Sequence, residues 1–266
     1  GTLNVNEADA SEFYILVQNY ANLTVENMTL DGTNLDKWSK AQDNWDSYVL
    51  SNNSGTVNIT GATNITANND GDKAFAFDVC KYANYAVPTV NVNTTGTIAG
   101  KIEVSEGISN NLNIKDGSFT NPIAEAWCAV GYIPTTEVVD GTTYNTVKVG
   151  KYVARNTTTG QGYETLVEAV AAAEADQEVK LLANVTLASS LNVNRNVVLE
   201  LNGYNIESGT IKAIVSSNAQ LTVNDSENKG VISAPQATLY VAENAKLIVN
   251  GGTIEGASAI QGNGSL

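Results

Sequence analysis

The sequence of 266 residues predicts an all-β chain wound as a parallel β-helix, with one short capping α-helix and a small β-hairpin that caps and connects. Three observations predict it. A short phrase recurs along the chain: apolar residues alternate with outward ones, a small polar corner turns the backbone, and a second short strand begins. Its copies start a little over 20 residues apart, with occasional longer gaps. Charged residues make up only 16%, so Asn, Thr, Gly and Ser carry most of the polarity. Those residues suit corners and the solvent side of strands.

The phrase is clearest in Leu247-Ile248-Val249-Asn250-Gly251-Gly252-Thr253-Ile254. It recurs at Leu23-Thr24-Val25, Leu112-Asn113-Ile114, Leu199-Glu200-Leu201 and Leu221-Thr222-Val223, each followed by a polar corner and a second strand. Looser copies sit at Leu3-Asn4-Val5, Val57-Asn58-Ile59 and Val90-Asn91-Val92. Leu199 to Leu221 and Val90 to Leu112 are each 22 residues, Leu221 to Leu247 is 26, and Leu3 to Leu23 is 20. The steps Leu23 to Val57 and Val57 to Val90 are 34 and 33, the length of a coil that carries an inserted outer loop. Each coil holds about three short strands and buries its apolar residues only by sitting on the next.

Residues 1–125 read as such coils. The longest insertion runs from Asn34 to Trp45, where Leu35, Trp38 and Trp45 fall at roughly helical spacing. A second excursion covers Asn68 to Asp72 and Cys80 to Tyr85. Residues 126–161 form a hairpin cap and connector: Trp127 to Pro134 and Thr142 to Val149 flank an Asp140-Gly141 turn, and the connector runs through Arg155 to Gly162. Residues 162–266 open with a lid helix over Tyr163–Ala175, where Tyr163, Leu166, Val170 and Ala173 share a face and Glu164 sits in the first turn. Coils then resume from Val179. Joining Leu266 to Gly1 would put Leu247 and Leu3 22 residues apart, one coil. That spacing predicts a permuted unit of a tandem array, or a subunit whose open ends stack head to tail on other copies of itself.

Four runs resemble the pectate-lyase-like β-helix repeats of bacterial surface adhesins: Gly162 to Val170, Val179 to Leu187, Leu199 to Tyr204 and Trp127 to Pro134. The resemblance covers most of residues 110–266 and is weaker before them. It implies a right-handed β-helix displayed outside the cell, on a cell surface, and carries over no catalytic residue.

Acidic residues outnumber basic ones 28 to 14 and histidine is absent, which makes nucleic acid and anionic membranes poor partners. No apolar run approaches the roughly 20 residues needed to span a bilayer, so no membrane insertion is expected. Cys80 and Cys128 could pair if the fold brought them together, and two buried free thiols fit equally well.

Catalysis is not expected. A β-helix lyase needs arginine beside acidic residues on one wall, and Arg155 and Arg195 lie in the connector and a corner instead. A hydrolase needs converging carboxylates, whereas Asp31 and Asp116 read as equivalent turn residues. Asn68, Asp70 and Asp72, with Asp78 nearby, supply oxygen ligands but lack the spacing and distal glutamate of a calcium loop, so no metal or cofactor is assigned. Trp38, Trp45, Tyr82 and Tyr85, in the insertions, are the candidate glycan contacts, set against the simpler role of packing those insertions onto the stack. Ten Asn-x-Ser/Thr sequons, at Asn22, Asn27, Asn52, Asn58, Asn64, Asn93, Asn156, Asn184, Asn224 and Asn263, are expected from an Asn- and Thr-rich composition alone. The function expected is that of an extracellular structural or adhesive solenoid repeat, with a carbohydrate-binding or carbohydrate-active β-helix, lyase-like or spike-like, as the alternative.

Overall fold

The computed structural model describes residues 1–6, 13–35, 46–68 and 71–266. Strands account for 53% of the chain against one α-helix among the described residues, which makes the protein all-β. It divides into two compact units, Gly1–Gly150 and Lys151–Leu266.

In the first unit, strands from successive repeats pair parallel and in register. Leu23, Val57, Val90 and Leu112 form one column, and Val25, Ile59, Val92 and Ile114 another. A third column runs Leu3, Leu30, Ile65, Ile98 and Phe119. Apart from Leu3 and Leu23, all of these side chains are buried, because an apolar residue on a short strand leaves water only against its equivalents above and below. A separate four-stranded sheet joins Ile15–Asn19, Ser47–Asn52, Ala74–Val79 and Lys101–Val104 in parallel, with Leu50 over Phe77 and Ser51 over Asp78.

Where the neighbouring repeat breaks into Thr56–Gly61 and Asn64–Thr66, the chain runs on as one strand, Thr89–Ala99, pairing with both pieces. Thr94 Oγ1 bridges the break below it, donating within 3.0 Å of the carbonyls of Gly61 and Thr63. Gly96 passes so close that a Cβ there would stand 2.1 Å from the Thr63 carbonyl oxygen.

The expected hairpin forms over Tyr132–Val139 and Thr142–Val149, with Asp140 and Gly141 both at positive φ in the turn, as a tight two-residue loop requires. It lies antiparallel on the edge of the strand Leu112–Phe119, with Phe119 opposite Asn145 and Ser118 Oγ donating to Glu137 Oε1 at 2.6 Å. The end of that strand is thereby paired rather than left open.

The second unit holds three parallel sheets. Gln177, Val197, Leu221 and Leu247 form one column, Val185, Ile206, Ile232 and Ile254 a second, and Leu191, Ile214, Leu239 and Ile260 a third. The stretch expected as a plain connector is itself paired: Ala154–Asn156 runs antiparallel to both Gly162–Tyr163 and Gln177–Leu181. The lid helix is shorter than its periodicity suggests, Leu166–Ala172. Thr165 is its N-cap, accepting from the Glu168 amide at 3.1 Å while its hydroxyl donates to the Glu168 carboxylate at 2.8 Å. Glu164 therefore precedes the cap, and Glu168 is the acidic residue of the first turn. Leu166, Ala169, Val170 and Ala173 are buried against the sheets.

Three registers differ from those expected. Leu199 aligns with Val223, not Leu221, because the corners between Glu200 and Gln220 make that repeat longer. Leu3 aligns with Leu30, not Leu23, so Leu3-Asn4-Val5 is a copy of the second strand of the phrase and the 22-residue continuity from Leu247 to Leu3 loses its basis. Asp116 aligns with Asn93, whereas Asp31 aligns with Thr66, so the two aspartates are not equivalent. Asp31 ends its strand at a turn, its Oδ1 accepting from the Thr33 amide at 3.0 Å, whereas Asp116 lies at a bulge within the strand Leu112–Phe119, its Oδ1 accepting from the Gly117 amide at 2.9 Å.

The close passage at Gly96 yields a test. Gly96→Ala is expected to destabilise the first unit by about 1–3 kcal/mol, the cost of forcing extra volume into a packed site. Urea denaturation followed by tryptophan fluorescence measures it, and an unchanged midpoint would show that the two strands part freely there.

Candidate functional site

Three exposed tyrosines meet on the first unit. Tyr20 follows the strand Ile15–Asn19, while Tyr82 and Tyr85 lie in the loop after Ala74–Val79. Tyr20 and Tyr85 have ring centroids 5.0 Å apart and tilted by 53°. Tyr82 and Tyr85 stack at 6.2 Å and 21°, and Tyr82 meets the edge of Tyr20 at 6.4 Å and 72°. Their exposures are 40, 50 and 53% in sequence order, so each ring keeps about half its surface in water while touching the other two.

The backbone beneath them is fixed by buried amides. Asn19 Nδ2 donates to Asn52 Oδ1 at 2.8 Å and to the Ser54 carbonyl at 3.0 Å, and Asn52 Nδ2 donates on to the Thr89 carbonyl at 3.1 Å. The Cys80 amide donates to the Asn52 carbonyl at 3.0 Å, and the Lys81 amide to Ser105 Oγ at 3.0 Å. The Tyr85 amide closes a turn onto the Tyr82 carbonyl at 3.1 Å, with Ala83 at positive φ. Gln18 Nε2 donates to the Tyr20 hydroxyl at 3.2 Å. Polar groups buried this way cost free energy unless paired, so the pairing specifies where the loops, and hence the rings, must sit.

Of the four aromatics expected from sequence, Tyr82 and Tyr85 come together, and Trp38 and Trp45 lie outside the described residues. Tyr20 was not anticipated. The signal available was the corner asparagine before it: Asn19 and Asn52 share a register position, which places Tyr20 on the side where the 80–85 loop emerges.

The acidic candidates go elsewhere. Asp70 lies outside the described residues, Asn68 Nδ2 donates to the Leu35 carbonyl at 2.8 Å, and Asp72 pairs with Lys101. Asp78 is buried and accepts from Ser51 Oγ at 2.9 Å and the Asn52 amide at 2.6 Å. No cluster of three metal-ligating groups occurs among the described residues. Glu103 stands next to Asp78 on the adjoining strand and accepts from the Tyr48 hydroxyl at 2.7 Å. Burial, helped by Glu103, pushes Asp78 up to about 6 despite the hydrogen bonds from Asn52 and Ser51. Burial and Asp78 likewise raise the Cys80 thiol, and burial with Glu125 pushes Cys128 up to about 11. Both cysteines are free and half-buried. The arginines serve the backbone: Arg155 donates to the Gly160 carbonyl at 2.6 Å and Arg195 to the Ala173 carbonyl, at the helix end, at 2.9 Å.

The sequon asparagines are largely structural. Asn52 and Asn156 are 0 and 1% exposed, which leaves no room for a glycan. Asn22, Asn27, Asn64 and Asn184 each accept, through Oδ1, the backbone amide of Thr56, Ala62, Thr97 and Asn205 in the next repeat at 2.9 Å.

No helix among the described residues is long and apolar enough to cross a membrane. Comparison with protein-family models, with curated proteins and with solved structures found no match, so the resemblance to surface-adhesin repeats rests on the residues alone.

The Asp78 environment predicts a pH dependence. Its folded pKa lies above the unfolded value near 3.8, so the folded chain holds the extra proton between those values. Asp78 therefore costs stability when ionised, and the first unit should gain on the order of 2 kcal/mol as the pH falls from 7 through 6 toward 4. The thermal midpoint of wild type minus that of Asp78→Asn, measured across that range, should rise on acidification. A constant difference would remove the assignment.

Proposed function

We propose that the chain is a non-catalytic structural and adhesive module of an extracellular cell surface, each of its units wound as a right-handed parallel β-helix that holds contact residues on a stiff wall. The observation that carries this reading is the set of in-register columns. Leu30, Ile65, Ile98 and Phe119 in one unit, and Val185, Ile206, Ile232 and Ile254 in the other, repeat one strand position on successive turns of chain. Such columns are what a helix of coils requires. A ladder of this kind shares load across every neighbouring strand, which suits a spacer or display rod. The handedness follows the strong preference of parallel crossovers.

The competing reading is a carbohydrate-active enzyme on the same scaffold. Against it stand Arg155 and Arg195, both hydrogen-bonded to main-chain carbonyls, and Asp78, buried between strands where a substrate does not reach. Fold alone assigns no chemistry. The exposed tyrosine cluster, with its rings half in water, supports contact rather than turnover.

Antibody labelling of intact, unpermeabilised source cells tests the reading. Labelling is expected without permeabilisation, and a signal that appears only after the envelope is opened would overturn it. Head-to-tail association of copies, the companion expectation, predicts elution from a sizing column that moves earlier as concentration rises. A constant elution volume rejects that part alone.

A further inference from the structure

We infer that Tyr20, Tyr82 and Tyr85 form a binding platform for an uncharged saccharide. This inference rests on the displayed-scaffold reading and deepens it by naming what the wall touches.

The three rings belong together only in the folded chain. Tyr20 and Tyr82 are 62 residues apart in sequence, and the parallel pairing of Ile15–Asn19 with Ser47–Asn52, and of that strand with Ala74–Val79, brings their corners to one side. Core aromatics in this protein look different. Phe77 and Phe119 are no more than 1% exposed, whereas each tyrosine of the cluster is 40–53% exposed. Packing within the chain therefore accounts for only half of each ring.

Size selects the kind of partner. An aromatic side chain offers roughly 150–250 Å² in all, so three half-exposed rings present about 300 Å². A stable protein interface needs about 800 Å² from each partner. One to three sugar rings need far less. Each tyrosine carries a π-face of negative potential, which complements the weakly positive C–H face of a pyranose, and a hydroxyl that can exchange hydrogen bonds with sugar hydroxyls. The tilts of 53° and 72° between Tyr20 and its neighbours make a shallow cup, not a flat stack.

Charge selects the saccharide. With 28 acidic residues against 14 basic ones, the chain repels uronates, sulfated sugars and sialic acids. An uncharged glycan meets no such penalty. Preorganisation favours binding as well, since the Asn19–Asn52–Thr89 chain of hydrogen bonds fixes the corners before any ligand arrives.

Affinity electrophoresis of the purified chain through gels containing dextran, mannan or xyloglucan, and separately polygalacturonate or alginate, tests the inference. Retardation is expected with at least one neutral polysaccharide and with neither acidic one. Tyr82→Ala and Tyr85→Ala should each weaken that retardation about tenfold, the loss typical of an aromatic contact at the centre of a site. Tyr82→Phe and Tyr85→Phe keep the ring and should retain most of it, which also guards against variants that fail to fold. No retardation by any neutral polysaccharide, retardation only by the acidic ones, or full retardation of the Tyr20→Ala/Tyr82→Ala/Tyr85→Ala variant would overturn it. Surface labelling with no saccharide retention would defeat the ligand class alone, whereas a chain found only inside cells would defeat the display reading even if saccharides bind in vitro.

Discussion

A strand of three to six residues cannot bury its own apolar side chains; it can only lie on an equivalent strand and be lain upon. That constraint governs both units. It explains why Leu30, Ile65, Ile98 and Phe119 stand in one line, and why exposure rises at Leu3, which among the described residues has a paired strand on one side only. It also explains the hairpin Tyr132–Val139 and Thr142–Val149. At Phe119, the end of an eight-residue strand, an unpaired edge and a large apolar ring would otherwise face water, while Cys128 and Ala129 cover the edge at Ile114.

Stacking fixes the strands, and the corners need a second device. At each corner the sheet ladder stops and backbone amides lose their partners. Asparagine oxygens replace them: Asn22, Asn27, Asn64, Asn184, Asn196 and Asn205 each accept an amide from the following repeat at 2.9–3.0 Å. A second set works through the amide nitrogen. Asn113 donates to Asn91, Asn91 to Asn58, and Asn250 to Asn224, at 2.9–3.2 Å, making short side-chain ladders parallel to the backbone ones. The high Asn content is thus an architectural requirement, and the sequons follow from it.

Much of this was legible in the sequence, and the misses have physical causes. Period-two alternation and Asp140-Gly141 located the strands and the hairpin, because both depend on local geometry. The helix is shorter than its apolar spacing because Thr165 caps one end and Arg195 holds the Ala173 carbonyl at the other. Register failed where corners changed length between Glu200 and Gln220, and held across the longer turn Asp225–Lys229, where Leu221 still meets Leu247. There a buried Asp225 accepts the Gly203 amide at 2.8 Å and the Gly230 amide at 2.7 Å, and organises a wider turn. Tyr20 was missed for a related reason. A residue's neighbours on the wall of a stacked fold are set by which corners overlie one another, and that depends on the lengths of all the intervening loops.

The two classes of asparagine differ in how they tolerate age. Spontaneous loss of ammonia turns the amide into a carboxylate, which keeps an accepting oxygen but no donor. A corner such as Asn22 or Asn64, which accepts a backbone amide, keeps its bond and gains a charge. The ladder members Asn91, Asn113 and Asn250 lose the bond they donate and set a negative charge against a neighbouring oxygen. Asn250 precedes Gly251, where the missing side chain leaves the attacking amide least hindered. A long-lived protein of this build would therefore wear first along its asparagine ladders, with its apolar columns and its corners still in place.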